Sequence, residues 1–225
     1  MTRRLLVVGI FTALQVASLE AQTLPSQVRL DAPAPDSFLV SLETTRGVVV
    51  IKARRAWSPL GVDRLYLLAA NRFYDGSVIY RVGPTASYPG GFVVQFGMSN
   101  DSSVNRAWGA AGIRDEPVLV PHRRGMVMFA RNEPNTRTIE LAVDLAPNNG
   151  LDTVLYKGAR GFPPVGEVIS GMAALDSLNR RYGNTPIQQM DSIALQGRRY
   201  LDRVFPGLDR ILRVWISAEW RSPGG

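Results

Sequence analysis

Residues 76–98 read GSVIYRVGPTASYPGGFVVQFGM, and two apolar runs within them, Tyr80-Arg81-Val82 and Phe92-Val93-Val94-Gln95, carry one arginine and one glutamine. Gly83, Pro84, Pro89, Gly90 and Gly91 supply turn chemistry between the runs, so they read as neighbouring strands of one sheet joined by a wide loop. That pairing puts Arg81 and Gln95 close together and predicts the Phe92 ring beside them. A fixed cation, a side-chain amide and an apolar wall suit a polarised amide next to a hydrophobic ring, as in an Xaa-Pro peptide.

Outward from this stretch the pattern is mostly strands. Phe38 to Thr44 and Val48 to Ala53, joined through Arg46-Gly47, read as a β-hairpin. Ser58-Pro59 then reads as an N-cap followed by proline in the first helical position, with Val62, Leu65, Leu68 and Ala69 on one face. Asn100 to Val120 is polar and reads as a long surface loop with Trp108 as a local anchor. Strands are expected over 125–130, 138–144 and 165–169, with a Gly/Asn loop over 147–161 and a short helix over 172–180. From Thr185-Pro186 an amphipathic face runs to Val204 through Gly197, Phe205-Pro206-Gly207 breaks it, and Ile211 to Ile216 is the closing strand. Strands outnumbering helices in this order predict a mainly β fold, a closed antiparallel barrel capped by helices.

The 225 residues fit one domain with an elaboration, and a hydrophobic fraction of 45% is enough for its core. Arg3-Arg4, the apolar run Leu5 to Leu14 and Ala21 read as a secretory signal over residues 1–21, too short in its apolar part for the ~20 residues of a spanning helix. Residues 22–37 follow as an extended arm or linker, 38–220 as the domain with a helical insertion at 185–209, and 221–225 as a flexible tail. An exported protein, periplasmic or secreted and without stable membrane insertion after cleavage, is expected. With no cysteine, neither a disulfide framework nor thiol chemistry is available. Losing Arg3, Arg4 and Glu20 lowers the net charge only from +7 to +6. The basic residues are scattered and almost all arginine, which fits a solvated basic surface rather than a nucleic-acid partner.

The chemistry is bounded as sharply. The single histidine, His122, lies beside Arg123 and Arg124 with no G-x-S-x-G elbow in the chain, which argues against a serine relay. One His and no Cys argue against zinc or copper, and Asp144 and Asp152 read as solvated loop acids outside any calcium-loop pattern. No cofactor or metal is implied. Turning an Xaa-Pro bond needs none of this equipment, because no covalent bond breaks; only amide resonance, with a barrier of ~18–20 kcal/mol in ordinary peptide bonds, must be weakened. An arginine near the proline nitrogen or its carbonyl, with the ring held in an apolar pocket, does this electrostatically.

In ordered combination, SPLGVDRLYLLAANRFYDGSVIYRV, GGFVVQFG, RRGMVMFARNEPNT and GFPPVGEVISGM make the chain resemble a cyclophilin-type peptidyl-prolyl cis-trans isomerase from about Phe38 to Gly171 and again in the closing strand. The resemblance implies an eight-stranded β-barrel closed by two helices. It also implies Arg81 as the catalytic arginine, Phe92 in the proline pocket, Gln95 binding substrate backbone, and Ala130 and Leu151 on the pocket wall and rim. The departures are numerous. Tyr80 replaces a histidine, Phe129 and Arg131 flank Ala130 in place of methionine and asparagine, Glu140 replaces a glutamine, and Met98 an aspartate. Ala142 replaces a pocket phenylalanine, Gly150 falls at a tryptophan position, and Phe162 stands at the pocket histidine. Losing the aromatic wall at Ala142 removes contact worth ~1.5–3 kcal/mol unless Phe162 fills the space. Glu140 is also placed to pair with Arg81. The insertion around QGRRYLDRVFPGLDRI resembles an extension of bacterial exported cyclophilins.

The expected function is therefore isomerisation of Xaa-Pro bonds in exported proteins by a monomer that takes Pro-containing client segments. Two other classes fit the same residues. One is a catalytically weak cyclophilin-like peptide-binding or chaperone module, in which Arg81 is locked to Glu140 and the pocket filled. The other is a partner-docking protein that uses the insertion.

Overall fold

In the computed structural model, residues 23–85 and 90–222 are described; the expected signal over 1–21 lies outside them. The chain opens on the hairpin. Strand β1 (Ser37–Thr44) pairs antiparallel with β2 (Gly47–Arg54) over all eight positions, and alternation buries Phe38, Val40 and Leu42 from one, Val49, Ile51 and Ala53 from the other. Helix α1 (Pro59–Ala70) follows, then β3 (Arg81–Pro84), β4 (Phe92–Phe96), helix α2 (Ser102–Gly109), β5 (Met126–Phe129) and β6 (Leu141–Asp144). A small hairpin of β7 (Leu155–Tyr156) and β8 (Ala159–Arg160), then β9 (Pro164–Ser170), helices α3 (Met172–Asp176), α4 (Met190–Gln196) and α5 (Arg198–Val204), and β10 (Ile211–Trp220) complete the chain.

The main sheet is eight-stranded and antiparallel, in the order β10-β1-β2-β9-β5-β6-β4-β3. The closed barrel expected from sequence is not formed strand to strand, since β10 and β3 are the two ends of that order. The chain just before each end strand meets the other: Gly76 N–H donates to Ile211 O at 2.9 Å, Ile211 N–H to Ser77 O at 2.9 Å and Ile79 N–H to Asp209 O at 2.9 Å. These flanking bonds, with the isolated bridge between Val78 and Arg210, join the two ends of the sheet without a β3–β10 ladder.

Helix α1 packs across β9 and β10, burying Val62, Leu65, Leu68 and Ala69 in the main core, the face read from sequence. Its start differs from expectation. Pro59 occupies the first turn, but the Ser58 side chain caps no backbone group. Instead the Glu116 carboxylate, from the segment before β5, accepts from Leu60 N–H at 2.8 Å and Gly61 N–H at 3.1 Å, and it also takes the Ser58 hydroxyl. Buried Arg137 closes this cluster on Glu116 at 3.0 Å. A carboxylate at the positive helix end does the work of the cap. Glu116→Ala leaves Arg137 buried without that anion and is expected to cost about 3 kcal/mol in thermal or urea unfolding; a loss below about 1 kcal/mol refutes this role.

Two further expectations are corrected. The 100–120 stretch is not all loop, because the Asp101 carboxylate accepts from Ser103 N–H at 2.7 Å and starts α2, burying Val104 and Trp108 one turn apart. Trp108 then donates its indole N–H to Thr23 O at 3.0 Å, which holds the amino-terminal arm on the core. The amphipathic run from Thr185 is not one helix. It comprises a 3-10 turn (Pro186–Gln189), α4 and α5, broken where Gly197 takes φ 55° and ψ −138°. A Cβ there would stand 2.5 Å from Asn100 O, so this crossing over Asn100 requires glycine. Ile193, Leu201, Phe205 and Leu208 from this segment form a second apolar cluster with Val78 and Tyr80, directly before Arg81.

Candidate functional site

The hydrogen-bond register of β3, β4, β6 and β5 builds the site. Arg81 sits opposite Gln95, Gln95 opposite Ala142, and Ala142 opposite Met128, so one cross-strand row places a guanidinium, an amide and two apolar side chains on one face. Val93, two residues before Gln95, joins that face. Together with Leu151 and Phe162, the buried Val93, Met128 and Ala142 make an apolar cluster. A cavity of about 520 Å³ opens over it, reaching Arg81, Gln95, Ala130, Glu140 and Tyr156.

Arg81 is held from three directions. Its Nε donates to Asn184 Oδ1 at 2.8 Å, Nη1 to Gln95 Oε1 at 3.0 Å and Nη2 to Pro84 O at 2.6 Å. Its other two N–H groups have no partner among the described residues. Burial lowers its pKa, opposed by Tyr80, Tyr156 and Glu140, and the group stays charged at neutral pH. The expected Arg81–Glu140 contact is indirect: Gln95 Nε2 donates to Glu140 Oε2 at 2.9 Å, and the same oxygen accepts from the Tyr80 hydroxyl at 2.5 Å. Burial pushes the Glu140 carboxyl up, against the two hydrogen bonds and Arg81 that pull it down. These partners fix the Gln95 amide, oxygen toward Arg81 and nitrogen toward Glu140.

Residues 39–195 match the family model of cyclophilin-type peptidyl-prolyl cis-trans isomerases. The chain belongs to that family. It is 26% identical to a peptidyl-prolyl cis-trans isomerase of Acinetobacter baylyi, over 74% of this chain and 89% of that protein. It is 28% identical to the peptidyl-prolyl isomerase CWC27 of Mycosarcoma maydis, over 66% of this chain but 31% of that longer protein. The crystal structure of a cyclophilin-type isomerase from Cryptosporidium parvum shares the fold, with TM-score 0.50 and 15% identity, covering 83% of this chain and 99% of that one.

Within this cyclophilin fold, Arg81, Gln95, Ala130, Glu140, Leu151 and Phe162 all line the one cavity, as does Ala142. Phe92 does not. Its ring packs on the main core and lies 5.5 Å beneath the Arg180 guanidinium. Alternation explains this: Phe92 falls in phase with Val94 and Phe96, which enter the core, and out of phase with Val93 and Gln95. Val93 and Met128, not singled out from the sequence, supply the apolar floor, and the period-two pattern of the strands could have identified Val93.

The 147–161 stretch, expected as loop, contains the β7–β8 hairpin, and buried Arg131 staples it. Its guanidinium donates to Tyr156 O, Ala159 O and Gly161 O at 2.8–2.9 Å and lies 4.4 Å over the Phe162 ring. His122 and Asp144 also differ from expectation. Asp144 is a fully buried residue at the end of β6, not a solvated loop acid. His122 Nδ1 stands 2.7 Å from Asp144 Oδ2, and Nε2 stands 2.6 Å from Phe162 O. With a carbonyl rather than a hydroxyl on Nε2 this is no nucleophile relay, and it anchors the backbone of the pocket wall.

Proposed function

We propose that this cyclophilin catalyses rotation about Xaa-Pro bonds in exported proteins. The proline ring sits on Val93, Met128, Ala142, Leu151 and Phe162, and Arg81 assists electrostatically. The observation that carries this reading is a guanidinium held at the edge of an open apolar cavity, with two of its N–H groups unpaired among the described residues. A fixed donor there stabilises the pyramidal proline nitrogen, or the charge shifting onto the carbonyl, and needs no reorganisation as the bond turns. Glu140, which touches Gln95 rather than Arg81, keeps the amide from rotating away. The leader-like residues 1–21 support action outside the cytoplasm, on Pro-containing segments of clients in the periplasm or beyond, by a monomer. The domain then begins after the arm at residue 38.

The test is exchange NMR on short Xaa-Pro peptides with catalytic amounts of the full chain. Accelerated cis-trans exchange is expected. A peptide that binds the cavity, seen by shifts of cavity resonances, with no change in exchange rate establishes the peptide-binding module instead. Restraint of Arg81 by three partners gives that second reading its support.

A further inference from the structure

We propose that the turn Asn184–Met190 is part of the peptide site. Asn184 acts as a positioning residue for Arg81, and Ile187 with Met190 forms an apolar subsite that takes an aliphatic or aromatic residue next to the proline. This rests on the isomerase reading above. Asn184 accepts from Arg81 Nε at 2.8 Å and donates through Nδ2 to Pro84 O at 2.9 Å, the carbonyl that Arg81 Nη2 also meets. The three groups form a closed triangle that sets the plane of the guanidinium. The approach is close by construction: a Cβ on Gly83 would lie 2.8 Å from Asn184 Oδ1 and 3.1 Å from the Gly183 carbonyl carbon. β3 therefore carries glycine where the turn crosses it.

Three residues beyond Asn184, the 3-10 turn brings Ile187 to the rim of the cavity that holds Arg81 and Phe162, and Met190 follows at the start of α4. Both are partly exposed, and their inner sides pack on the Val78–Tyr80–Phe205 cluster, which fixes the turn to the strand carrying Arg81. An apolar rim beside the catalytic cation rewards a flanking side chain that can be desolvated there.

The test compares two proline peptides, one with leucine and one with glycine beside the proline, by exchange NMR and by titration of labelled full chain. In the wild type the leucine peptide is expected to show kcat/KM about 10-fold higher. Ile187→Ser should bring that ratio close to one. Because Ile187 also packs on the second cluster, Met190→Ser is made in parallel, and both variants are checked by thermal unfolding. A ratio unchanged in both folded variants overturns the subsite. Asn184→Ala should lower kcat about 10-fold with KM little changed, and Asn184→Asp, which keeps the acceptor for Nε but gives up the donor to Pro84 O, should restore part of it. A fall in both kcat and stability that Asn184→Asp does not rescue overturns the positioning role. If the wild type accelerates neither peptide, the isomerase reading fails by itself. The subsite is then decided by the titration, where equal affinity for the two peptides overturns it.

Discussion

Arg81→Ala is expected to lower kcat/KM for an Xaa-Pro peptide by about 100-fold or more, the effect of removing one preorganised donor from a site where charge develops. The fold should survive, because Arg81 is only half-buried and its partners Asn184 and Pro84 border solvent. Gln95 keeps its bond to Glu140, so the floor of the cavity stays in place and peptide binding should weaken far less than turnover. Arg81→Lys retains charge but cannot span Asn184, Gln95 and Pro84 with one planar fork, and it should recover only part of the rate. Exchange NMR on both variants, with circular dichroism to confirm folding, gives the readout. An Arg81→Ala protein within about threefold of wild type rules out electrostatic assistance by this residue.

The largest effect on stability is expected from His122→Ala. The imidazole bridges buried Asp144 to the Phe162 carbonyl, and the other Asp144 oxygen takes Asn148 Nδ2 at 2.5 Å, while Asn148 Oδ1 accepts from Phe92 N–H. Removing the ring leaves a buried carboxylate and a buried carbonyl short of a donor, at about 3–5 kcal/mol, or on the order of 10 °C in Tm for a chain of this size. Because Phe162 walls the cavity, peptide affinity should fall with it.

The same pair makes stability depend on pH. Burial lowers the His122 pKa, but the hydrogen bond and charge of Asp144, the Phe162 carbonyl and the charge of Asp152 outweigh it, so the folded value is raised. Raised folded-state protonation of histidine contributes stability that is full below the unfolded value of about 6.5 and is lost as pH climbs through the folded one. Burial also raises the Asp144 carboxyl, against the bonds from His122 and Asn148, and that contribution likewise falls with rising pH. Through His122 the thermal stability of the wild type should therefore fall from about pH 6.5 upward, and that decline should be flatter in His122→Ala. Identical slopes in the two proteins would show that the imidazole is not protonated in the fold.

What could be read in the sequence is what local periodicity and covalent proximity control. The β1–β2 hairpin, the buried face of α1 and the adjacency of Arg81 and Gln95 all follow from runs only a few residues apart along the chain, and the structure bears them out. The fold family and the cavity assignments of Ala130, Leu151 and Phe162 came from an ordered motif pattern, since those residues lie on different strands and turns. Phe92 packs on the main core rather than at the Arg81 cavity, as the alternation of its own strand requires. The short α2 was hidden because Asp101 starts a helix with only two buried apolar side chains, Val104 and Trp108, too weak a stripe to stand out among polar residues.

Other features had no signature in any window of the chain. Asn184 reaches Arg81 across 103 positions, and His122 reaches Phe162 across 40. Glu116 caps a helix that begins 57 residues earlier. Each is a polar group whose partner is chosen by desolvation: once packing removes water, a buried donor or acceptor must bond to whatever the fold brings within reach. The sequence by itself determined the strands of the main sheet, the family and the cation at the cavity edge. Only the tertiary structure decided which groups hold that cation and that Val93 and Met128, not Phe92, floor its pocket, because these depend on the packing of segments distant in the chain.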